Sequence, residues 1–371
     1  MTPLSQILEL DLYSGDDLAA ALDGSHIVKS PADRTAPAAF SRLRDLAEDL
    51  RAADWQQWRL RNRTVEGTER DTNLPLRIRF TGAMRAIDFV AAGILGGGDW
   101  ELVSGASHDA DILVSDHPLA APRLRRTAPI RLPQWVRQTL NTGTEWSDTL
   151  DALPRGHRKE LGRLLRRHGY RARLNADSDA IEAYYDELHV PYLTRQFGKA
   201  SLRQDRNVFL ALHCRCRRLD LLHDGEVVAA NLLEQQGRAL AIKRHALLPG
   251  RGELRGRADV LDYFSLLTAR LLGAGTLDFG LSRPHLEDGV FRYKAKWGCR
   301  VIPVNGLKAD ICIVPLRRTE SCFAFLRRNH FLQRGGKNLV VRIPPGQDAE
   351  ARALADRIAG IQGLRGPEFT G

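Results

Sequence analysis

The chain has 371 residues, of which 43% are hydrophobic, 27% charged and 7% aromatic. This composition is that of a folded globular protein and excludes a disordered or fibrous chain. The 55 Lys and Arg exceed the 45 Asp and Glu, giving a net charge of +10. A basic chain favours anionic partners such as phosphorylated cofactors, tRNA or acidic lipid surfaces. The length predicts two modules of about 150 to 200 residues each.

Three features bear on location and metal content. Residues 1–17 contain acidic residues and no basic segment followed by an apolar one, so we expect no signal peptide and a cytoplasmic protein. The longest apolar stretches, such as 89–95, are far shorter than the roughly 20 residues that span a bilayer, so no membrane span is expected. Five cysteines without a CxxC pair predict reduced thiols and no metal site.

The N-terminal part alternates predicted helices and strands. Apolar residues repeat at helical spacing over 40–60, and a second helix is predicted over 84–95. The predicted strands cover 76–80, 100–103 and 111–114. A segment rich in Pro and Arg between 119 and 133, followed by a polar stretch at 141–144, marks a boundary. We therefore predict an α/β domain over residues 1–143.

The second domain, predicted over residues 144–345, begins with a basic helix. Helix 154–168 has an apolar stripe of Leu161, Leu164 and Leu165. Such a helix either binds a phosphate backbone, as in tRNA, or presents a solvated face. Its basic residues are Arg155, His157, Arg158, Lys159, Arg163, Arg166, Arg167 and His168.

A meander of three antiparallel strands is predicted next. A helix over 180–190 precedes strands over 217–222, 226–234 and 238–247, with Asp-Gly and Gln-Gly at the tight turns. A helix over 259–272 and a strand over 276–279 follow. The fold class is therefore α/β with a mixed sheet. Residues 346–371 are predicted to form a C-terminal helix and tail.

Two motifs point to acyl transfer. Asp278-Phe279-Gly280 ends a predicted buried strand, and the run from Asp288 to Gly298 has Phe291, Tyr293, Lys294 and Trp297 at fixed spacing. This pattern resembles the C-terminal half of the FemAB/FemX-like and CelD-like acyltransferases of the GNAT superfamily, and the segment 191–198 resembles a CelD-like signature. The resemblance covers about residues 145–315. It implies tandem GNAT-like domains, of which the N-terminal one is degenerate.

A donor-binding loop is predicted directly before helix 259–272. GNAT enzymes bind the donor's pyrophosphate with the backbone N–H groups of a glycine-rich loop at a helix N-terminus. The run from Glu253 to Ala258 fits this pattern, although Glu253 stands where the family has Gln or Arg. The predicted donor-binding residues are Arg255, Gly256, Arg257 and Ala258.

The resemblance also suggests the reacting centre. It implies that the pair Tyr293 and Lys294 lies near the acyl ester, where Lys294 would stabilise developing negative charge. Lys296, predicted to lie in a strand two residues further on, would face the same side and could share this role. A pair of lysines on a surface strand is the alternative interpretation.

The remaining candidates are polar residues at the ends of predicted strands and in the loops that follow them. Asp278 belongs to the motif at the end of a strand, where the sites of α/β proteins tend to gather. We predict Lys294, Tyr293 and Asp278 as catalytic residues and Arg283, Lys296 and Glu234 as substrate-binding residues. The general base stays open among Asp278, Glu234, Glu287, Asp288 and His245.

Three functions follow from these residues. The first is an acyltransferase with an acyl-CoA or related thioester as co-substrate and an amine or hydroxyl acceptor, working by direct attack because no nucleophile constellation is present. The second keeps the fold but uses aminoacyl-tRNA as donor, forming an amide bond on a peptide, a peptidoglycan precursor or a small metabolite. The third is a non-catalytic protein that binds polyanions through its basic face. None of the three requires a permanently bound cofactor.

Overall fold

The computed structural model describes residues 8–10, 61–82, 94–95, 100–103, 109–115, 130–143, 146–197, 204–248, 256–304, 310–335, 338–343, 348–359 and 361–369. Helices and mixed sheets alternate along the chain, so the predicted α/β class is confirmed. The chain divides into two compact units. Unit 1 comprises Met1–Asp45 and Thr139–Gly280, and unit 2 comprises Leu46–Gln138 and Leu281–Gly371.

The strands and helices are numbered in chain order. The strands are β1 (Leu8–Leu10), β2 (Arg61–Thr68), β3 (Pro75–Gly82), β4 (Trp100–Val103), β5 (Ile112–Ser115), β6 (Ile130–Leu132), β7 (Val136–Asn141), β8 (Arg171–Asn175), β9 (Arg217–His223), β10 (Glu226–Gln236), β11 (Ala239–Leu247), β12 (Thr276–Ser282), β13 (Arg300–Pro303), β14 (Ile311–Pro315), β15 (Leu332–Gly335), β16 (Asn338–Ile343) and β17 (Leu364–Phe369). The helices are α1 (Trp146–Ala152), α2 (Arg155–His168), α3 (Ser178–Ala183), a π-helix (Tyr184–His189), α4 (Val190–Phe197), α5 (Arg206–His213), α6 (Arg257–Leu271), α7 (Gly289–Ala295), α8 (Glu320–Arg328) and α9 (Asp348–Ile358).

Unit 1 is built on a sheet in which the strands follow the order β1-β8-β9-β10-β11-β12-β7. The predicted meander is confirmed, because β10 pairs antiparallel with both β9 and β11. Asp224 and Gly225, with φ of 52° and 80°, form the turn between β9 and β10, and two positive φ values are typical of the tight hairpin turn. Helix α6 then connects β11 to β12, which run parallel.

The helices of unit 1 agree with the predicted ones in position. The basic helix is α2, and the long helix before β12 is α6. The helix predicted over 180–190 is longer, because α3, the π-helix and α4 follow one another from Ser178 to Phe197. Pro191 is the second residue of α4, which follows the π-helix, and a residue without an N–H is tolerated in this first turn.

Unit 2 contains a six-stranded sheet in the order β4-β2-β3-β5-β14-β6. Strand β14 lies between β5 and β6 and pairs antiparallel with both. The core of this sheet includes Leu76, Ile78 and Phe80, which alternate along β3 and are fully buried. A second sheet has the order β15-β16-β17.

The division into units differs from the predicted domains. Residues 311–315 were expected in the C-terminal domain, but β14 completes the sheet that holds β2 to β6. Long-range pairing of this kind has no local sequence signal. The C-terminal 346–371 segment was predicted as helix and tail, and it contains α9 and also β17, which pairs parallel with β16.

Some predictions lie outside the described residues. They include the helix over 40–60 and most of the helix over 84–95, of which residues 94–95 are described as helical. In the part of the chain that the structure describes, no helix has the length and hydropathy to cross a membrane.

Candidate active site

A β-bulge distorts β11 in the middle of the unit 1 sheet. Leu232 of β10 pairs with Arg244 and Leu233 pairs with Ile242, so Lys243 is an extra residue on β11. Bulges bend a strand and redirect its side chains, and they are frequent beside active sites. The Lys243 Nζ atom lies 3.5 Å from Glu234 Oε2.

The parallel ladder between β11 and β12 is short. It covers three residue pairs and ends where Ala241 pairs with Asp278, although β11 continues to Leu247. The ladder ends here because Gly280, with a φ of +77°, departs from the extended conformation of a strand. The Asp278 carboxylate stabilises this turn by accepting a hydrogen bond from the Gly280 N–H at 2.8 Å.

Two carboxylates flank the end of this ladder. Glu234 pairs with Ala241, and Ala241 pairs with Asp278, so the three residues form one row across three strands. Paired residues on neighbouring strands point to the same face, and two strand spacings place the outer Cα atoms about 10 Å apart. Glu234 is 3% exposed and Asp278 is 6% exposed.

Glu234 is held by two donors. Gln236 Nε2 donates to Glu234 Oε2 at 2.8 Å, and the Lys243 ammonium is the second neighbour. Burial of a carboxylate is costly unless a charge or donors compensate it. The two contacts therefore hold the Glu234 carboxyl on this face of the sheet.

An aromatic cluster covers the same face. Residues two apart on a strand share a face, so Glu234 lies on the side of Ala230 and Leu232, which pack against Tyr184 and Phe209. The rings of Phe209 and His213 stack at 4.2 Å, and those of Phe209 and His189 lie 4.8 Å apart.

Both histidines of this cluster are neutral near pH 7. Burial, with the nearby charge of Arg244, lowers the pKa of His189 to about 4. The same two causes lower the pKa of His213 to about 3. The His213 Nδ1 atom lies 2.6 Å from the Phe209 carbonyl, so in the neutral ring Nδ1 carries the proton.

A second polar network lies on the opposite face, against α6. Asn231 Nδ2 donates to Asp262 Oδ1 at 3.1 Å and to Ser265 Oγ at 2.9 Å, while Asn231 Oδ1 lies 2.9 Å from His245 Nδ1. His245 was one of the predicted candidate bases. The structure places it on the other side of the sheet from Glu234.

Helix α6 begins at a glycine with a left-handed backbone conformation. Gly256 has a φ of +81°, and a Cβ on it would collide with Leu164 Cδ1 of α2. Among the described residues no side chain caps this end, and the first N–H groups of α6, including those of Arg257 and Ala258, point toward the helix N-terminus. Arg255, also predicted to bind the donor, lies outside the described residues.

Two tyrosines surround Arg257. Burial raises the pKa of Tyr170 and of Tyr192, and the positive charge of Arg257 offsets part of each increase. Tyr170 is 5% exposed, and its hydroxyl has no hydrogen-bond partner in the described part of the chain. The start of α6 therefore combines a helix N-terminus, a guanidinium and a buried hydroxyl.

The predicted site residues of unit 2 cluster around α7. Lys294 lies in this helix, is 7% exposed, and donates from Nζ to the Leu281 carbonyl at 2.8 Å. The strand predicted for Lys296 is wrong, because Lys296 ends α7. Residues two apart in a helix point to different sides. Lys296 is exposed and lies with Nζ 4.4 Å from the centre of the Tyr293 ring.

The remaining candidate bases hold the start of α7 in place. Asp288 Oδ1 accepts the Phe291 N–H at 2.9 Å, and Asp288 Oδ2 accepts Arg283 Nη1 at 2.7 Å. Glu287 Oε1 contacts His330 Nδ1 and Arg357 Nη2, each at 2.8 Å. These contacts are structural: the first pair caps α7 and the second fastens the loop before it.

The structure therefore brings Glu234 and Asp278 into one row of unit 1 and places Gly256, Arg257 and Ala258 at the start of α6 in the same unit. Lys294, Tyr293, Lys296 and Arg283 form a separate group in unit 2. Sequence reasoning missed Lys243, because the bulge at this residue, beside Glu234, depends on strand register. In the described residues no His, Cys, Asp and Glu side chains form a metal-binding cluster.

Comparisons with known proteins give structural similarity only. No family model and no curated protein sequence matches the chain. The structure of FemX is 12% identical, with 70% of this chain and 89% of FemX covered and a TM-score of 0.39. L-PGS from Bacillus licheniformis is 13% identical, with coverages of 67% and 81% and a TM-score of 0.34. A tandem GNAT protein from the clavulanic acid biosynthesis pathway is 13% identical, with coverages of 66% and 79% and a TM-score of 0.27.

Proposed function

We propose that the chain is an acyltransferase of the tandem GNAT type, which moves an acyl group from a thioester donor to an amine or hydroxyl acceptor by direct attack. One observation carries this proposal. The ladder between β11 and β12 ends at the row of Glu234, Ala241 and Asp278, and the helix that connects these two strands begins at Gly256 with no side-chain cap among the described residues. A donor bound with its phosphates at that N-terminus would place its acyl end at the end of the ladder.

The donor's phosphates are proposed to bind at the start of α6. The N–H groups and the dipole of a helix N-terminus favour anions. Arg257 adds a positive charge, and Gly256 lets the start of α6 pack closely against Leu164 of α2. An acyl-CoA fits this arrangement, because its pyrophosphate is distant from the thioester.

Glu234 is proposed as the general base. It would take one proton from the acceptor ammonium, whose nitrogen then attacks the thioester carbon. The C–S bond then breaks, and the leaving thiolate takes the second proton of the nitrogen, so that an amide and a free thiol are formed. The two carboxylates of the row favour a cationic acceptor. The Lys243 ammonium is positioned near Glu234 and is a proposed partner for the negative charge that develops on the carbonyl oxygen.

The residues of unit 2 keep the roles that the family resemblance suggests. Lys294, whose ammonium binds the Leu281 carbonyl, is proposed to stabilise negative charge, and Tyr293 is its proposed partner on α7. Arg283 and Lys296 remain proposed substrate contacts. Lys296 is exposed, so a contact with the outer part of a substrate suits it better than one with the reacting atoms.

A second candidate donor is aminoacyl-tRNA, which the charge of α2 favours. Leu164 of this helix packs beside Gly256, so α2 adjoins the proposed phosphate site. Arg158 and Arg163 are paired with Asp151 and Glu160. The exposed cations of α2 without a carboxylate partner in the described residues are Arg155, Lys159, Arg166 and Arg167.

Calorimetry and a rate assay test the proposal. The protein would be titrated with CoA and with bulk tRNA at two salt concentrations, and thiol release from a panel of acyl-CoA esters would be followed with hydroxylamine as the amine. We expect saturable CoA binding and thiol release that depends on Glu234. Reversing the charge of Arg257 should raise the donor's KM more than it changes kcat.

The other outcomes separate the alternatives. Binding of tRNA without binding of CoA would favour aminoacyl-tRNA over acyl-CoA as the donor. Substituting Gln at Arg155, Lys159, Arg166 and Arg167 should then reduce the salt dependence of tRNA binding. Salt-dependent binding of any polyanion without transfer would favour a non-catalytic protein.

A further inference from the structure

Arg244 lies on the face of the unit 1 sheet that carries Glu234. It pairs with Leu232 across the strands, and its guanidinium carbon lies 5.8 Å from the centre of the Phe209 ring. Its Nη1 donates to the Lys243 carbonyl and its Nη2 to Gln204 Oε1, both at 2.8 Å. These two partners are neutral oxygens that orient the guanidinium on the aromatic cluster.

Two buried polar groups lie close to this guanidinium. The π-helix brings Tyr184 and His189, five residues apart, onto one side, with ring centres 5.9 Å apart. Tyr184 is fully buried and His189 is 5% exposed. Within the described residues, neither the Tyr184 hydroxyl nor His189 Nδ1 has a hydrogen-bond partner. The charge of Arg244 acts on both groups.

Unsatisfied buried polar groups beside a cation favour an anionic ligand. A buried polar group without a partner is destabilising, so its presence needs a reason. A carboxylate accepts hydrogen bonds from a guanidinium, a hydroxyl and an imidazole N–H together. A phosphate would serve less well, because the surrounding rings of Tyr185, Phe209 and His213 favour a small, planar group.

We infer that Arg244, Tyr184 and His189 bind a carboxylate of the acceptor, so that the acceptor is an amine that also carries a carboxylate, such as an amino acid. This inference rests on the proposed function and names its substrate class. The guanidinium forms the outer side of the subsite, and the hydroxyl and imidazole form the inner side. The acceptor's amine would then extend along the same face toward Glu234.

Matched acceptors test this inference. Thiol release from acetyl-CoA would be measured with phenylalanine and with phenylalaninamide, which differ only in the carboxylate. We expect Arg244→Gln to lower kcat/KM for phenylalanine by about 10-fold or more and to leave phenylalaninamide nearly unchanged. Arg238→Gln, at an exposed arginine before β11, is the control. An equal effect on both acceptors would overturn the inference.

Tyr184→Phe gives a second test that does not depend on Arg244. It removes only a buried hydroxyl without a partner in the described residues, so the variant should unfold at the same or a higher temperature. Its kcat/KM should nevertheless fall for phenylalanine and not for the amide. An equal fall for both acceptors would count against the subsite.

Titration with phenylacetate separates the subsite from the proposed function. Phenylacetate carries the carboxylate without the amine, so its binding needs no transfer activity. Binding to the parent that is lost in Arg244→Gln supports the subsite, and no binding to the parent refutes it. Failure to bind CoA would count against the proposed function, and the phenylacetate titration would still decide on the subsite.

Discussion

Glu234 and Asp278 face the same side of the unit 1 sheet, each paired with Ala241 of the strand between them. They differ in what holds them. Asp278 accepts a hydrogen bond from its own turn, whereas Glu234 is held by side chains of Gln236 and Lys243. This difference favours a structural role for Asp278 and a chemical role for Glu234.

Glu234→Gln should abolish most of the transfer activity. Loss of a general base reduces the rate by about 100-fold to 10,000-fold, and the donor's affinity should be retained because the proposed phosphate site is at α6. Initial rates of thiol release and calorimetric CoA binding measure the two effects. Glu226→Gln, at an exposed glutamate at the start of the same strand, should behave as the parent. Unchanged turnover in Glu234→Gln would assign the base elsewhere.

Lys294→Ala should lower turnover by about 100-fold or more, the scale of removing one preorganised charged donor. It also leaves the Leu281 carbonyl without its ammonium donor, which costs about 1–3 kcal/mol of stability. Kinetics and chemical denaturation would be measured together. Lys296→Ala, at the exposed proposed substrate contact two residues away, should raise the acceptor's KM and change kcat and stability little. Equal effects of the two substitutions would contradict the distinction between them.

Gly256→Ala should destabilise unit 1 and weaken donor binding. The Cβ of alanine would collide with Leu164, and the alanine would have to adopt a positive φ. Each effect costs about 1 kcal/mol or more. The free energy of unfolding and the donor's KM are the measurements. Gly225→Ala is an informative comparison, because it has a similar φ of +80° and open space around it. If both variants lose the same stability, the contact with Leu164 contributes nothing.

Glu287 should make stability depend on pH. Burial alone would raise its pKa, but His285, whose Nε2 lies 3.0 Å from Glu287 Oε2, and the hydrogen bonds from His330 and Arg357 outweigh burial and hold the pKa well below 4.5. A lowered folded-state pKa stabilises the protein above the unfolded-state value and loses this effect as the pH falls below it. Glu287→Gln should therefore cost about 1–3 kcal/mol at pH 7 and progressively less below about pH 4. Denaturation curves across this range measure the stability lost in Glu287→Gln. A loss that stays constant from about pH 7 to about pH 3 would contradict this account.

Local patterns predicted the elements that local residues define. The meander of β9 to β11 and the helices α2 and α6 follow from apolar periodicity and from glycine at the turns. The helical state of α7 had a local signal too, because Asp288 precedes it as an N-cap. The strand predicted for Lys296 did not take this N-cap into account.

The rest depends on contacts between distant parts of the chain. The bulge at Lys243 and the row of Glu234, Ala241 and Asp278 exist only once three strands are in register. The sequence supplied Glu234 and Asp278 as candidates but gave no reason to connect them. Arg244 and Tyr184 had no motif at all, because their proximity depends on a π-helix and a sheet face.

The place of β14 between β5 and β6 has a consequence for synthesis on the ribosome. Strands β5 and β6 emerge early, but each has an open edge until residues 311–315 have been translated. Open strand edges pair readily with other chains. The nascent chain therefore depends on a late segment to protect an early one, and a product truncated before β14 would be prone to aggregate.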